Sequence, residues 1–458
     1  MAATGPSAIR NPPSAIERLD QDHFWHSFTQ MGAYDPLVIE RAEGVWLHTT
    51  DGRRLLDGAS SMWCNVHGHH HPKISAAIAE QLGRVAHCTS LGMGCDTTVR
   101  LAKRLADLTP GHLSRVLFSS DGSSAIEVAL KAAFQFWRQA GHSPAAAAWP
   151  QRTKFLAFGQ AYHGDTIGAA SVGGIDRFHA LFTPMLFDAV RAPTPNWHRL
   201  PEQVTSDRAA DYYLEQTAEL FTKHGQTLAA VVIEPLVQCA AGMVMHPPGF
   251  LRGLRELCDE HGVLLILDEI AVGFGKTGTL FACEQEQVTP DFLCLGKGLT
   301  GGYLPMAATV TTDRVYEAFL GDADSGRQLY HGHTFCGNPL AAAAALACLD
   351  VFEQEQTLAE LQPKIAHLGK RFHQLAERPE IASIRQTGVI CAAEYNESVG
   401  PLGRQVAAAA LERGVWLRPQ PSMLYVMPPL SITHEEIDFM METIEASIEQ
   451  ATNRSTTR

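Results

Sequence analysis

No CxxC pair occurs in the chain, although it carries ten cysteines. Scattered thiols in apolar segments, among them Cys258, Cys283, Cys294 and Cys348, exclude a disulfide scaffold and read as reduced, buried groups of a cytoplasmic protein. No apolar run approaches the roughly 18 residues a membrane-spanning helix requires. Nor is any stretch of like charge long enough to form an interaction tail. Lysine and arginine are outnumbered 36 to 49, a formal charge of −13. The chain therefore lacks the basic surface that nucleic acid needs. Met1 to Asp20 holds three prolines and two acids and no apolar stretch of the secretory kind. Without such a signal, the sequons at Asn396 and Asn453 are expected to be chance matches.

The chain does have length and apolar content: 458 residues, 45% hydrophobic. These suffice for a large core and for more than one domain. Residues 1–20 read as a loose leader. Val38 to Asn65 reads as short strands with a turn at Asp51-Gly52. Helical periodicity then appears at Leu101, Leu105 and Leu108, and again at Ile126, Ala129, Leu130 and Ala133. Short apolar runs at 116–118, 155–158, 229–233, 263–267 and 292–295 alternate with helical stretches. That alternation predicts a mainly parallel sheet covered on both faces, an α/β fold. Residues 141–151 and 191–208 read as surface loops. A helix starts near Pro339, and another carries Leu358, Leu361, Ile365, Leu368, Phe372 and Leu375. Strands return at 415–418 and 424–427, and the last eight residues read as frayed. The expected division is a large domain over 76–345 and a smaller α+β unit built from 21–75 and 346–450.

Four segments carry chemistry. The run Gly262 to Leu267 is a buried strand ending in Asp268 and Glu269, so Asp268 points into the crevice beyond the carboxyl ends of the strands. An acid there either holds magnesium, as in nucleotide hydrolases, or pairs with a cationic ring nitrogen. The nucleotide reading needs GxxxxGK[ST] upstream. The chain's only GK[ST], Gly275-Lys276-Thr277, lies downstream, with Ile270 where the first glycine should be. The second segment is a strand ending on Gly296-Lys297-Gly298, 29 residues after Asp268. By itself Lys297 reads as a solvated loop lysine. Beside Asp268 it suits pyridoxal phosphate (PLP), which needs an amine for its Schiff base and a carboxylate for its ring nitrogen. Third, Asp121-Gly122-Ser123-Ser124 opens a helix after a strand, a place for a phosphate or an ordinary helix cap. Fourth, Tyr162 in AYHGD either stacks on a ring or is a buried loop tyrosine.

Together these residues resemble the class III PLP aminotransferases of fold type I. The likeness spans about 22 to 445 and includes IEPLVQ, LDEIAVGFGKTG, CLGKGLTGGYLP and HGHTFCGNPLA. Within the class, HFWHSFTQM, SSMWCNVHGHHHP, AYHGDTIGAASVG and GVWLRPQPSMLYVMPPL are similar to the branch that aminates 8-amino-7-oxononanoate to 7,8-diaminononanoate in biotin synthesis. The resemblance implies a cytoplasmic homodimer with PLP on Lys297 and its ring nitrogen on Asp268. It implies that Tyr162 and Ile270 flank the ring and that Gln238 lies near its phenolic oxygen. Gly122 and Ser123 are expected at the phosphate with His333, and with Thr334 of the opposite chain. Arg418 is expected to hold a substrate carboxylate. Trp63, Met62, Phe28 and Gly332 are expected to line the remaining substrate site.

Departures bear on the donor. Gln238-Cys239-Ala240-Ala241-Gly242 lacks the glutamate of glutamate-using relatives. Phe28 replaces a substrate-reaching tyrosine, Met62 a tryptophan, and Lys276 an arginine. The expected donor is S-adenosylmethionine or, as in a branch with similar FTQM, NVHGH and GGYLP segments, lysine. An ω-amino-acid:pyruvate or diamine aminotransferase is the alternative on the same scaffold. His67, His69, His70 and His71 lack a convincing further partner, and no metal site is expected. His163 and Asp165 are expected to fix Tyr162, and Cys239 and Cys336 to be packing residues.

Overall fold

The computed structural model describes residues 14–111, 113–139 and 149–456. Most of the expected leader and of the loop at 141–151 thus lie outside the described residues.

A seven-stranded sheet forms the centre. Its spatial order is Leu113–Ser119, Ala307–Thr312, Phe292–Leu295, Leu264–Asp268, Leu228–Ile233, Lys154–Phe158 and Val190–Ala192. All neighbours run parallel except that Ala307–Thr312 lies antiparallel to both of its partners. The sheet is covered on both faces, and the strand period sorts its side chains. Leu264, Ile266, Phe292 and Cys294 join one apolar cluster with helix Gly122–Gln139. Leu265, Leu267, Leu293 and Leu295 join the other, with helices Phe250–His261 and Pro339–Gln354. Strands with no solvent face have no polar alternation, which is why they read as continuous apolar runs.

Strands Ile39–Glu43, Trp46–Thr49 and Arg54–Asp57 form an antiparallel meander, and Val415–Trp416 adds to its edge in parallel. Early and late segments of the chain therefore share one small sheet. A further antiparallel sheet joins Ile381–Thr387, Ile390–Tyr395 and Met423–Val426.

Two expectations at the ends need correction. Helix Ala15–His23 begins inside the expected leader, closed by a capping box in which Ser14 and Glu17 satisfy each other's amides. At the other end, helix His434–Thr456 extends into the segment read as frayed, as far as the described residues go. Ile448 and Ala451 on that helix are buried, so packing extends it where composition alone would stop it. The strand at 415 is also shorter than expected and ends before Arg418.

After Asp57 the chain makes an unusual turn. Ser60, Ser61, Met62 and Trp63 all have positive φ, at 48°, 45°, 67° and 73°. One turn of left-handed helix built from non-glycine residues costs roughly 1–2 kcal/mol per residue. Such a turn persists only where its surroundings over-determine it.

Candidate active site

The carboxyl ends of the parallel strands open into a cavity of about 160 Å³ lined by Trp63, Asp121, Gly122, Ser123, Tyr162, His163, Gly164, Glu234, Asp268, Ile270, Ala271 and Lys297. Seven residues expected to hold cofactor or substrate thus meet in one place: Trp63, Gly122, Ser123, Tyr162, Asp268, Ile270 and Lys297. They arrive on five connections after strands: Gly122 and Ser123 share one, Asp268 and Ile270 another, and Trp63, Tyr162 and Lys297 come singly.

Strand alternation separates the two acids after Leu267. Asp268 faces the cavity. Its Oδ2 lies 2.7 Å from His163 Nδ1, and its Oδ1 accepts from the Ile270 amide at 3.1 Å. Glu269 turns away and accepts the Ala282 and Cys283 amides at 2.7 and 2.8 Å. Burial raises the Glu269 carboxyl to about 7.

Lys297 follows strand Phe292–Leu295 with φ 41°, a left-handed backbone that turns its side chain inward. Its Nζ lies 5.2 Å from the centre of the Trp63 ring. Arg418, which does not line the cavity, has its Cζ 5.8 Å from the same ring. Trp63 therefore has an amine and a guanidinium each within 6 Å of its ring, groups that suit a reacting carbonyl and a carboxylate of one chain.

Helix Gly122–Gln139 aims its first turn at the cavity. Asp121 caps it by accepting the Ser124 amide at 2.9 Å and the Ser124 hydroxyl at 2.8 Å. A Cβ on Gly122 would stand 2.8 Å from Ile270 Cγ2, so glycine lets that turn approach the isoleucine closely. Gly164, at φ +121°, lies against Ser123 in the same way: a Cβ there would come 2.0 Å from Ser123 Oγ.

Tyr162 donates its hydroxyl to Asp165 Oδ2 at 2.7 Å and stacks parallel to His179, 5° between planes at 6.2 Å. Burial, followed by that hydrogen bond, pushes its phenol well above the ordinary range. The expectation for this loop needs a correction. Asp165 does hold Tyr162, but His163 turns to Asp268 instead, and its Nε2 has no hydrogen-bond partner among the described residues.

Glu234 was not singled out in the sequence. It is buried on the cavity wall and accepts the Tyr162 amide on Oε1 and the Cys239 amide on Oε2, both at 3.0 Å. Burial raises its carboxyl to about 7. The IEPLVQ segment was the available signal: an acid directly after a wholly buried strand.

Other expected residues do not line this cavity. Gln238 is buried nearby, with Nε2 donating to the Gly159 carbonyl at 3.0 Å and Oε1 unpartnered among the described residues. Phe28 is 65% exposed and touches Phe178 edge-on at 5.3 Å; Phe178 in turn meets Tyr162 at 5.9 Å. Met62 is partly exposed. Gly332, His333 and Thr334 are exposed, with His333 Nε2 accepting the Ser120 amide at 2.9 Å beside the helix start.

The nucleotide-hydrolase alternative loses its lysine, since Lys276 is 1% exposed and donates internally. The four clustered histidines diverge: His67 meets the Cys348 carbonyl at 3.0 Å, His69 meets Asp57 at 3.1 Å, and His71 meets Glu355 at 3.4 Å.

A carboxylate, an amine, an aromatic flank and a helix N-terminus converge on one cavity. They complement a cationic ring nitrogen, an aldehyde, a flat ring and a phosphate. With this fold, that set defines a PLP-dependent aminotransferase. The family described as Aminotransferase class-III matches residues 29–448, and the chain belongs to it.

Relatives lie close. The chain is 48% identical over 455 residues to adenosylmethionine-8-amino-7-oxononanoate aminotransferase of Nitratidesulfovibrio vulgaris, covering 95% of this chain and 83% of that one. The crystal structure of the enzyme of that name from Methanocaldococcus jannaschii superposes with a TM-score of 0.87 at 38% identity, covering 95% and 98% of the two chains. An (S)-enantioselective omega-transaminase from Thermomicrobium roseum superposes with a TM-score of 0.88 at 32% identity, covering 95% and 98%.

Proposed function

We propose that this enzyme transfers an amino group to 8-amino-7-oxononanoate, forming 7,8-diaminononanoate for biotin synthesis, with S-adenosylmethionine or lysine as donor. The observation that carries the reading is Trp63, whose ring centre lies 5.2 Å from Lys297 Nζ and 5.8 Å from Arg418 Cζ. A long apolar chain with a carboxylate at one end fits along that indole. The omega-transaminase likeness keeps the simple amine–pyruvate reaction as the second reading.

The residues present fit PLP. Gly122 and Ser123 would hold its phosphate at the helix start, Asp268 its ring nitrogen, and Tyr162 and Ile270 its two faces. Bound PLP supplies an electron sink for the carbon that gains or loses the amino group. The protein supplies the rest. Lys297 Nζ moves the proton at that carbon. Asp268, braced by His163, stays an acceptor toward the ring. Trp63 and Ile270 give the cavity apolar walls.

The cytoplasm suits ten unpaired thiols, eight of them buried. No helix among the described residues is long and apolar enough to cross a membrane. A homodimer suits the exposed apolar residues around Gly332 to Thr334. Tyr330 and Phe335 are 71% and 57% exposed, and Phe335 contacts His87 on the segment that carries Leu91 and Met93, 88% and 61% exposed. Pairing would cover this patch and carry Thr334 toward the opposite chain's phosphate site.

The deciding experiment is a half-reaction. S-adenosylmethionine or lysine, added separately, is expected to convert the enzyme-bound cofactor to its amino form, read by absorbance. 8-Amino-7-oxononanoate is expected to restore the starting spectrum. Restoration by pyruvate alone would replace this substrate with the omega-transaminase reaction. Arg418→Met is expected to raise KM for the keto acid about 10- to 100-fold, the worth of a charge-assisted carboxylate contact, and to change kcat little. Steady-state kinetics with the keto acid varied checks this.

A further inference from the structure

Lys276 lies in the core and takes no part in the cavity. Its Nζ donates to Ser60 Oγ at 2.9 Å and reaches the Pro428 carbonyl at 3.5 Å. Ser60 Oγ donates its own proton to the Met427 carbonyl at 2.6 Å. A hydroxyl carries one proton, so toward Lys276 the serine can only accept. The contact therefore requires a donor, which the amine provides whether charged or neutral. Burial lowers this amine to about 7.

Ser60 is the first residue of the left-handed turn that ends on Trp63. The turn is pinned at two places. Asp57 takes the Ser61 amide at 3.0 Å and the Ser61 hydroxyl at 2.7 Å, while His69 braces Asp57 at 3.1 Å. Ser60 is held by Met427 and Lys276. Directly after these pins come Met62 and Trp63, and Trp63 lines the cavity with its ring 5.2 Å from Lys297 Nζ and 5.8 Å from Arg418 Cζ.

We propose that Lys276 is a positioning residue for the substrate. Acting through Ser60, its buried amine holds the left-handed turn so that Trp63 keeps its ring close to both Lys297 and Arg418. Lys276 thereby sets the affinity for a long-chain carboxylate that it never touches. The inference rests on the active-site reading above.

The test compares Lys276→Met, Ser60→Ala and the double variant, each as holoenzyme, against the wild type. Lys276→Met is expected to raise KM for 8-amino-7-oxononanoate about tenfold, with kcat changed less than twofold and the cofactor's absorbance unaltered. Ser60→Ala is expected to do the same. The double variant is expected to be no worse than either single one, because both remove one contact. An unchanged KM, additive effects in the double variant, or a fall in kcat with loss of cofactor absorbance would each overturn the proposal. If Lys276→Met does not fold, Ser60→Ala alone decides by the same KM criterion. If the wild type does not accept 8-amino-7-oxononanoate, the substrate reading fails separately. The inhibition constant of nonanoate, against whichever acceptor the wild type uses, then decides: a tenfold rise in the variants supports the positioning role, and no change overturns it.

Discussion

Lys297→Ala is expected to lower kcat by at least about 10,000-fold. General acid–base help alone supplies about 100- to 10,000-fold, and this residue is asked for covalent anchorage as well. The fold should survive. The side chain makes no hydrogen bond among the described residues, its polar contact being the Trp63 ring at 5.2 Å. Alanine has the same Cβ as lysine, so the left-handed backbone at φ 41° is no more strained than before. Compared as apoproteins, stability should therefore change by less than about 1 kcal/mol, read as a nearly unaltered thermal melt. The variant should release PLP on dialysis, whereas the wild type retains it. An active Lys297→Ala enzyme would remove the central assignment.

Much of this site was legible because its parts sit where strands end. Asp268 and Lys297 each close a buried apolar run, and the runs are adjacent in the sheet, at Asp268 and Cys294. The parallel α/β centre was readable for the same reason: its strands have no solvent face and interrupt the helical period cleanly. What remained hidden depends on contacts far apart in sequence. His163 finds Asp268 across 105 residues, and Lys276 finds Ser60 across 216. No spacing rule links such pairs. The left-handed turn at 60–63 was hidden because no glycine marks it. Strand Ala307–Thr312 is not legible, because the short run of AATV has too few bulky apolar residues to mark a strand. The helix at Ala15 did have a local signal, the Ser14-x-x-Glu17 capping pair, masked by the prolines before it.

Asp268→Asn tests the other half of the central pair, and its neighbour supplies the control. Asparagine keeps the Oδ1 acceptor for the Ile270 amide, held at 3.1 Å. Its NH2 can face His163 Nδ1 if the imidazole takes the other tautomer, which the unpartnered Nε2 permits. The shape is thus preserved and only the charge is lost. Removing one side of a buried charge contact costs about 2–5 kcal/mol. At 1.36 kcal/mol per decade, kcat/KM should fall about 30- to 5,000-fold. Glu269→Gln should behave in the opposite way. That carboxyl faces the Ala282 and Cys283 amides and not the cavity, so its loss should lower the melting temperature and spare kcat/KM. Gln keeps one carbonyl oxygen for two amides, leaving one of them short of a buried partner at about 1–3 kcal/mol. Kinetics and melts of both variants separate the roles. If Glu269→Gln lost the activity and Asp268→Asn kept it, the alternation that aims Asp268 into the crevice would be assigned to the wrong face, and the ring-nitrogen role would pass to Glu269.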